Sequence, residues 1–460
     1  MVLRPVRHGA VTAGFWPGHM DYPIFDLGPF GPSTLIAVVA IIHVVIAQFA
    51  VGFGIATPWL EARALRRNDT ILLDFLRRYA RFLILFSFVA GAITGVGIWF
   101  VVGLISPETI ALLLRQFVWG WATEWVFFIV EILSGYIYYF YWDRMDPKTH
   151  VRIGVIYGIA AWGSLLIING ILAFMLTPGD WLTTRSFWDG WLNPGVWPSL
   201  VLRTISSLAL AGLFIAVVAN IKPGDEVEKR RHVINEGSIF LVPLALMLPV
   251  SIWFFAVSPA PATRLVLGGA VAMTMFFMFG LVASTLIGLY AYWGLLKNRR
   301  SVHLETALLL TAIALIATGA MEYMREGMRK PYVVYGYMYA NGLTQAQMQT
   351  INQSGFFATQ PVIAQGINPD RLSPVERGRL IFRGQCGRCH TIDGYNAIRP
   401  LVESWTPEMI RDNTRQLQRL RGFMPPFAGT DADLEDLVAY LSTLRSAQWS
   451  ATVSQREAGQ

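Results

Sequence analysis

The chain has 460 residues, of which 54% are hydrophobic and 15% charged, a composition too apolar for one soluble core. Several apolar runs reach the roughly 20 residues that a transmembrane helix needs. The net charge of +7 does not indicate nucleic-acid binding, because the arginines cluster in short segments between the apolar runs, where they mark membrane topology.

Hydrophobic periodicity predicts an all-α, polytopic transmembrane bundle of about eight spans within residues 1–324. The predicted spans lie at about residues 33–58, 82–105, 118–141, 153–176, 199–220, 237–257, 265–294 and 304–324.

Lysine and arginine counts predict the orientation of this bundle. The segments after spans one, three, five and seven hold 16 basic residues, and those on the opposite side hold 5, among them Arg4 and Arg7. The richer side is expected to face the cytoplasm, which puts both termini outside a bacterial cytoplasmic membrane.

The character of the chain changes after span eight. Residues 325–370 are predicted to form an ordered connector on the membrane surface. Residues 371–460 are predicted to form a small all-α domain. In it, one helix runs from near Pro374 to about Gln385, and the last helix begins near Thr430.

The only two cysteines lie in Cys386-Gly387-Arg388-Cys389-His390, so a disulfide framework is ruled out. This C-x-x-C-H pattern is typical of one covalent haem c, in which both thiols form thioethers and the histidine becomes an axial iron ligand. The alternative is a redox-active or coincidental C-x-x-C. The adjacent histidine and the predicted outer location favour haem.

This C-terminal domain resembles a class I monohaem cytochrome c. The resemblance implies a methionine as sixth iron ligand, on a loop before the last helix. Met424, in Gly422-Phe423-Met424-Pro425-Pro426-Phe427, fits that pattern. Met409 is the alternative.

Ionisable residues inside predicted spans are candidates for function. His43 is the one histidine deep in a span, where it is either a haem ligand or a packed side chain. Glu124 and Glu131 lie two turns apart on span three, where they could ligate iron or relay protons. The charges from Glu322 to Lys330 could form a simple surface network.

Together these residues resemble subunit I of the cytochrome bd oxygen reductases over residues 33–332. The first-span pattern of that family matches His43, Gly52 and Glu61. Its span-three signature matches Glu131 eleven residues before Trp142-Asp143-Arg144, although the glutamate pair is one residue closer than usual. The segment Glu326–Tyr332 follows the span-eight signature loosely.

The resemblance implies roles for these residues. His43, Glu124 and Glu326 would surround paired high-spin haems, of type b, type d or both, at which oxygen is reduced; His43 and Glu326 would ligate iron. Glu131 would deliver protons, and Arg329 would neutralise carboxylate or propionate charge.

Three departures from the family bear on function. Arg203 stands where the family has a histidine ligand for a third, low-spin haem. The long outer quinol loop is reduced to the seven residues 258–264, and the cytochrome c domain replaces the ninth span. We therefore expect weak or no direct quinol oxidation.

The leading hypothesis is a membrane-bound respiratory protein that passes electrons between its haem c and haems in the bundle, with oxygen reduction to water. The alternatives are a non-catalytic electron-transfer subunit and an empty helical anchor. Expected partners are the lipid bilayer, a second membrane subunit or homologous chain, and an external cytochrome c or copper protein, but no nucleic acid. Arginines of the C-terminal domain could form a basic surface on which carriers dock, or they could be only a solvated face. They are Arg379, Arg383, Arg388, Arg415, Arg419 and Arg421.

Overall fold

The computed structural model describes residue 25 and residues 27–221, 226–300, 302–359 and 368–445. Arg4, Arg7 and Lys222 of the topology count lie outside the described residues, as does the part of the predicted connector from 360 to 367. The described chain is almost entirely helical, which confirms the predicted fold class.

Thirteen helices form the membrane part among the described residues. They are α1 (Pro32–Arg67), α2 (Thr70–Ile105), α3 (Pro107–Gln116), α4 (Val118–Phe140), α5 (Pro147–Phe174), α6 (Trp181–Thr184), α7 (Phe187–Trp191), α8 (Val196–Ile221), α9 (Val227–Gly237), α10 (Met247–Val257), α11 (Ala260–Arg264), α12 (Val271–Tyr290) and α13 (Leu304–Arg329).

Within the described ranges, seven helical segments are long and apolar enough to cross a membrane, and the bent pair α3–α4 brings the number to eight. The bend between α3 and α4 is 83°. One of the seven joins α9 and α10 through the 3-10 turns Ser238–Leu246, which contain Pro243. Eight spans is the number that the sequence predicts, and the chain is an integral membrane protein.

The predicted loop between the first two spans is helical instead. Helix α1 continues nine residues beyond the predicted end at 58, and α2 begins twelve residues before the predicted start at 82. Only Asn68, in a left-handed conformation, and Asp69 separate the two helices. The intervening sequence is rich in Ala, Leu and Arg, which favour helix, so the arginines lie on helix ends.

The predicted start of span seven is also wrong. The backbone breaks at Leu267 and Gly268, the latter with φ +112°, and α12 begins only at Val271. Glycine tolerates this positive φ without a side-chain clash, which explains the break.

Close helix packing holds the bundle together. Helix α1 crosses α8 at Gly52, where an added Cβ would lie 1.9 Å from the Ser207 carbonyl oxygen. It crosses α5 where Gly54 meets Gly158. Small residues allow such approach between membrane helices, and they fix the positions of the side chains nearby.

After α13 come a two-stranded antiparallel hairpin and a helical domain. Their elements are β1 (Tyr332–Val334), β2 (Met338–Tyr339), α14 (Gln345–Ser354), α15 (Phe356–Thr359), α16 (Pro374–Gln385), α17 (Arg399–Val402), α18 (Pro407–Arg415), α19 (Leu417–Leu420) and α20 (Asp431–Ser442). The predicted bounds of the first and last helices of the domain are confirmed. Thr430 caps α20 in a capping box with Asp433.

The predicted connector packs in two directions. Leu343, Ile351 and Phe356 belong to one apolar core with Ile381 and Leu437 of the C-terminal domain. On the other side, the Tyr335 amide donates a hydrogen bond to the Met175 carbonyl at the end of α5, 2.9 Å away. The connector therefore joins the C-terminal domain to the end of the bundle at which α5 finishes.

Candidate haem-binding sites

The haem-attachment loop (residues 386–396) begins where α16 ends. The amides of Cys389 and His390 both donate to the Cys386 carbonyl, at 3.0 and 2.9 Å, so that two thiols and an imidazole share one tight turn. His390 Nδ1 lies 2.9 Å from the backbone carbonyl oxygen of Asn396, and the side-chain Nδ2 of Asn396 donates to the Cys389 carbonyl at 2.7 Å.

This geometry fits a covalent haem. A histidine whose Nδ1–H is held by a backbone carbonyl offers its Nε2 to iron. Burial lowers the pKa of His390 from its usual value, although the hydrogen bond to Asn396 acts the other way; the neutral imidazole is the form that ligates. Both cysteines are free to form thioethers.

The two candidate methionines differ in environment. Met424 lies half-buried on an irregular loop before α20, where its amide donates to the Arg421 carbonyl at 2.8 Å. Met409 is 45% exposed in the first turn of α18. Met424 therefore lies on a loop before the last helix, where the resemblance places the sixth iron ligand, and it stays the predicted ligand.

In the bundle, His43 lies half-buried between α1 and α2. Its Nδ1 is 3.1 Å from the Thr94 hydroxyl, and Gly95 gives the ring room to approach α2. Nε2 is therefore the ring nitrogen that could bind an iron ion, as the sequence predicts. No hydrogen bond or ion pair within the described ranges joins His43 to Glu124 or Glu326.

Glu124 and Glu131 lie on the face of α4 that packs against α5. Glu124 is buried near the Ser164 hydroxyl. Glu131 lies within electrostatic range of Tyr157, a buried residue of the same helix as Ser164. The two carboxylates therefore share one polar strip along the α4–α5 contact.

A cluster of charges occupies the C-terminal end of α13. The Glu322 carboxylate accepts from Arg203 at 3.0 Å and from Arg325 at 2.8 Å. Arg203, the residue in the position of the missing histidine ligand, is thus bound in a buried ion pair. A small cavity of about 20 Å³ lies between Arg203 and Arg325.

Glu326 and Arg329 continue this cluster. Glu326 is paired with Arg329 and, at 3.3 Å, with Lys330. Buried Arg329 also donates to the Val333 carbonyl at 3.0 Å. The cations outnumber the carboxylates by two, and Arg325 Nη1 and Arg329 Nε are buried without a partner. This excess fits an anionic group such as a haem propionate.

The same segment approaches the haem c loop. The Lys330 ammonium lies within electrostatic range of the Cys389 sulfur. Lys330 is thus paired with Glu326, the expected ligand of a bundle haem, and feels the charge of the haem-attachment loop.

Sequence reasoning missed a buried polar triad at the other end of the bundle. Glu61 accepts from the Tyr138 hydroxyl at 2.6 Å and lies 2.6 Å from His150 Nδ1; His150 Nε2 contacts the Tyr138 carbonyl at 2.8 Å. All three residues are at most 3% exposed. The sequence marks Glu61 only as part of the first-span family pattern. His150 precedes the predicted span at 153–176, so its sequence position does not indicate that it is buried.

One member of the predicted basic surface is placed differently. Arg388 is buried and paired with Glu108 of α3, so it is not available to a carrier. The prediction failed because sequence position within the motif does not reveal a contact 280 residues away.

Comparisons with known proteins agree with this architecture. The family "Cytochrome bd terminal oxidase subunit I" matches residues 34–264, and "Cytochrome C oxidase, cbb3-type, subunit III" matches residues 373–441. A solved structure of bd oxidase from Geobacillus thermodenitrificans is similar, with a TM-score of 0.52 and 18% identity, over 71% of this chain and 94% of that chain. No curated protein matches the chain.

The two domain matches indicate a respiratory haem electron-transfer protein of the oxidoreductase type. The first match covers half of the chain. The chain therefore belongs to the cytochrome bd terminal oxidase subunit I family and carries a cytochrome c domain of the cbb3 subunit III type.

Proposed function

We propose that this protein passes electrons between its own covalent haem c and haems in the bundle, and that the bundle reduces oxygen to water. The observation that carries the proposal is the contact between the two units. Arg388 of the haem-attachment loop is paired at 2.6 Å with Glu108 of α3, and Lys330, which is paired with Glu326, lies within electrostatic range of Cys389. The loop that would hold haem c therefore lies against the bundle.

The bundle residues suit haem of type b or d. His43 would ligate one iron through Nε2 while Thr94 holds Nδ1. The unpartnered nitrogens of Arg325 and Arg329 would bind propionates. When bound, such haems supply iron centres that accept electrons and bind oxygen.

Protons for oxygen reduction would come along the α4–α5 strip. Glu131, beside Tyr157, would take a proton and pass it towards Glu124, which the Ser164 hydroxyl orients. Carboxyl groups and hydroxyls can both give and accept protons in such a chain.

The electron donor is proposed to be a soluble cytochrome c or copper protein rather than quinol. The outer segment 258–264 is almost filled by α11, and Arg203 is engaged with Glu322. Five arginines remain for an acidic carrier, which predicts a reduction rate that falls as salt rises. They are Arg379, Arg383, Arg415, Arg419 and Arg421.

The proposed setting is a bacterial cytoplasmic membrane with the cytochrome c domain and both termini outside. A second membrane subunit or homologous chain would accompany this one in the bilayer. The arginine-rich junction of α1 and α2 would then face the cytoplasm, as the positive-inside rule requires.

A non-catalytic electron-transfer subunit is the second candidate. It is favoured by Glu326, whose side chain is 45% exposed and already paired with two cations instead of being free to ligate iron. On that alternative the bundle holds haem that does not bind oxygen.

The test is the ratio of extractable to covalent haem in purified protein, together with carbon monoxide difference spectra. We expect extractable haem that responds to carbon monoxide, and we expect His43→Ala to remove or perturb it while the haem c band persists. His303→Ala, an exposed histidine at the start of α13, is the matched control. No extractable haem would leave only an anchor, and haem that ignores carbon monoxide would favour the electron-transfer subunit.

A further inference from the structure

The arginine inside the haem-attachment motif is buried against the bundle. The side chain of Arg388 is 8% exposed, and its Nη2 donates to Glu108 Oε1 at 2.6 Å. Glu108 lies in the first turn of α3. The guanidinium also packs on Gly342, where an added Cβ would lie 2.5 Å from Nη1.

The same loop contacts a second part of the bundle. The Tyr395 amide donates to the Pro29 carbonyl just before α1, at 2.6 Å, and Gly394 lies so close that any Cβ would overlap that carbonyl. Thus two separate parts of the bundle, the segment before α1 and the first turn of α3, contact the eleven residues that would hold the haem.

We propose that Arg388 and Glu108 form a clamp that fixes the haem-attachment loop on the outer end of the bundle. Arg388 is then a positioning residue, and the cytochrome c domain is docked permanently instead of moving as a tethered carrier. The charges are complementary; the side chain of Arg388 is 8% exposed and that of Glu108 is 35% exposed. Surface ion pairs contribute little, but breaking this pair would leave the buried Arg388 guanidinium charged without its counterpart, which is costly.

The clamp has a consequence for electron transfer that rests on the proposed function. In oxygen reduction, ferrous haem c, held by Cys386, Cys389 and His390, would give one electron to a ferric haem of the bundle and become ferric; no bond would form or break. A fixed loop keeps this exchange within one chain, with a single rate. An unclamped domain would sample many distances and give a spread of slower rates.

Hydrogen exchange tests the clamp independently of any bundle haem. In Glu108→Lys, we expect peptides that cover Tyr395 and Gly342 to exchange at least about tenfold faster, because the loop leaves its partners. The charge-reversed double variant, Glu108→Arg with Arg388→Glu, should restore slow exchange. Arg415→Gln, which breaks an exposed ion pair with Asp431 inside the domain, is the control and should change neither peptide.

The electron-transfer readout completes the test. After photolysis of carbon monoxide from the fully reduced protein in the presence of oxygen, which is the oxidant, Glu108→Lys should lose the fast phase of haem c oxidation while the potential and content of haem c stay the same. Unchanged hydrogen exchange in Glu108→Lys overturns the clamp, as does failure of the double variant to restore it. Absence of bundle haem overturns the proposed function only, because the exchange result stands without it.

Discussion

At the scale of single residues, burial distinguishes side chains of the same type. Met424 is half-buried on a loop and Met409 is exposed on a helix. Arg388 is buried in an ion pair, whereas Arg415 is paired at the surface. The surroundings of each side chain therefore distinguish which methionine is expected to bind iron and which arginine is available at the surface.

The first prediction concerns the sixth haem ligand. Met424→Ala should abolish the near-infrared band of methionine-ligated ferric haem. It should also lower the haem c potential by tenths of a volt, within the range of about 0.8 V that axial ligands span. Spectroscopy and redox titration measure both. Met409→Ala should change neither the band nor the potential. If Met409→Ala changed both and Met424→Ala changed neither, the sixth ligand would be Met409 on α18.

The second prediction concerns the buried triad. Glu61→Ala leaves the Tyr138 hydroxyl and His150 Nδ1 buried without their acceptor, and should cost about 3–5 kcal/mol of unfolding free energy. Asp74→Ala removes the exposed partner of Arg78 and should stay within about 0.5 kcal/mol. Denaturation in detergent measures the unfolding free energy of both variants. Equal losses of unfolding free energy would show that the buried triad does not stabilise the bundle more than an exposed ion pair does.

At the scale of elements, the contact of α16 with α20 organises the cytochrome c domain. Helix α16 buries Gly378, Ile381, Phe382 and Gln385, which follow the spacing of one helical face. Beside this face, Arg377 binds Asp436 of α20 through two nitrogens, at 2.6 and 2.8 Å. The two helices are therefore fixed at one crossing point.

The third prediction tests this crossing. In Gly378→Ala the new methyl group would lie 1.9 Å from the Asp436 carbonyl oxygen, so the helices must separate, at a cost of about 1–3 kcal/mol or more. Thermal unfolding followed at the haem c Soret band should reveal an early transition of this domain. Gly422→Ala is the control, since the nearest atom is 3.8 Å away. A Gly378→Ala domain of normal stability would contradict the crossing.

At the scale of the whole molecule, the positions of the charged side chains predict the orientation of the chain in the membrane. The arginines at the α1–α2 junction and the haem-attachment loop lie in segments predicted to face opposite sides. The fourth prediction is that a reporter fused after the last residue is active only outside, and one inserted near Arg230 only inside. The opposite pattern would contradict both the arginine count and the expected side of haem attachment.

The sequence predicted the features that depend on local pattern. Apolar length predicted the spans, and the spacing of the cysteines and His390 predicted the attachment turn. It could not predict the partners of Arg203 or Arg388, because Glu322 and Glu108 lie far away in the chain. The helical α1–α2 junction was missed because charge was interpreted as loop, although arginine also favours helix.

The shared core of the connector and the cytochrome c domain has a consequence for modular exchange. Leu343, Ile351 and Phe356 complete that core, so a fragment cut at residue 371 would expose the apolar surface that they cover. A unit that can be transplanted would have to begin near Tyr332, at the first strand. A replacement of this domain by another, in evolution or by design, would therefore have to include the hairpin and α14.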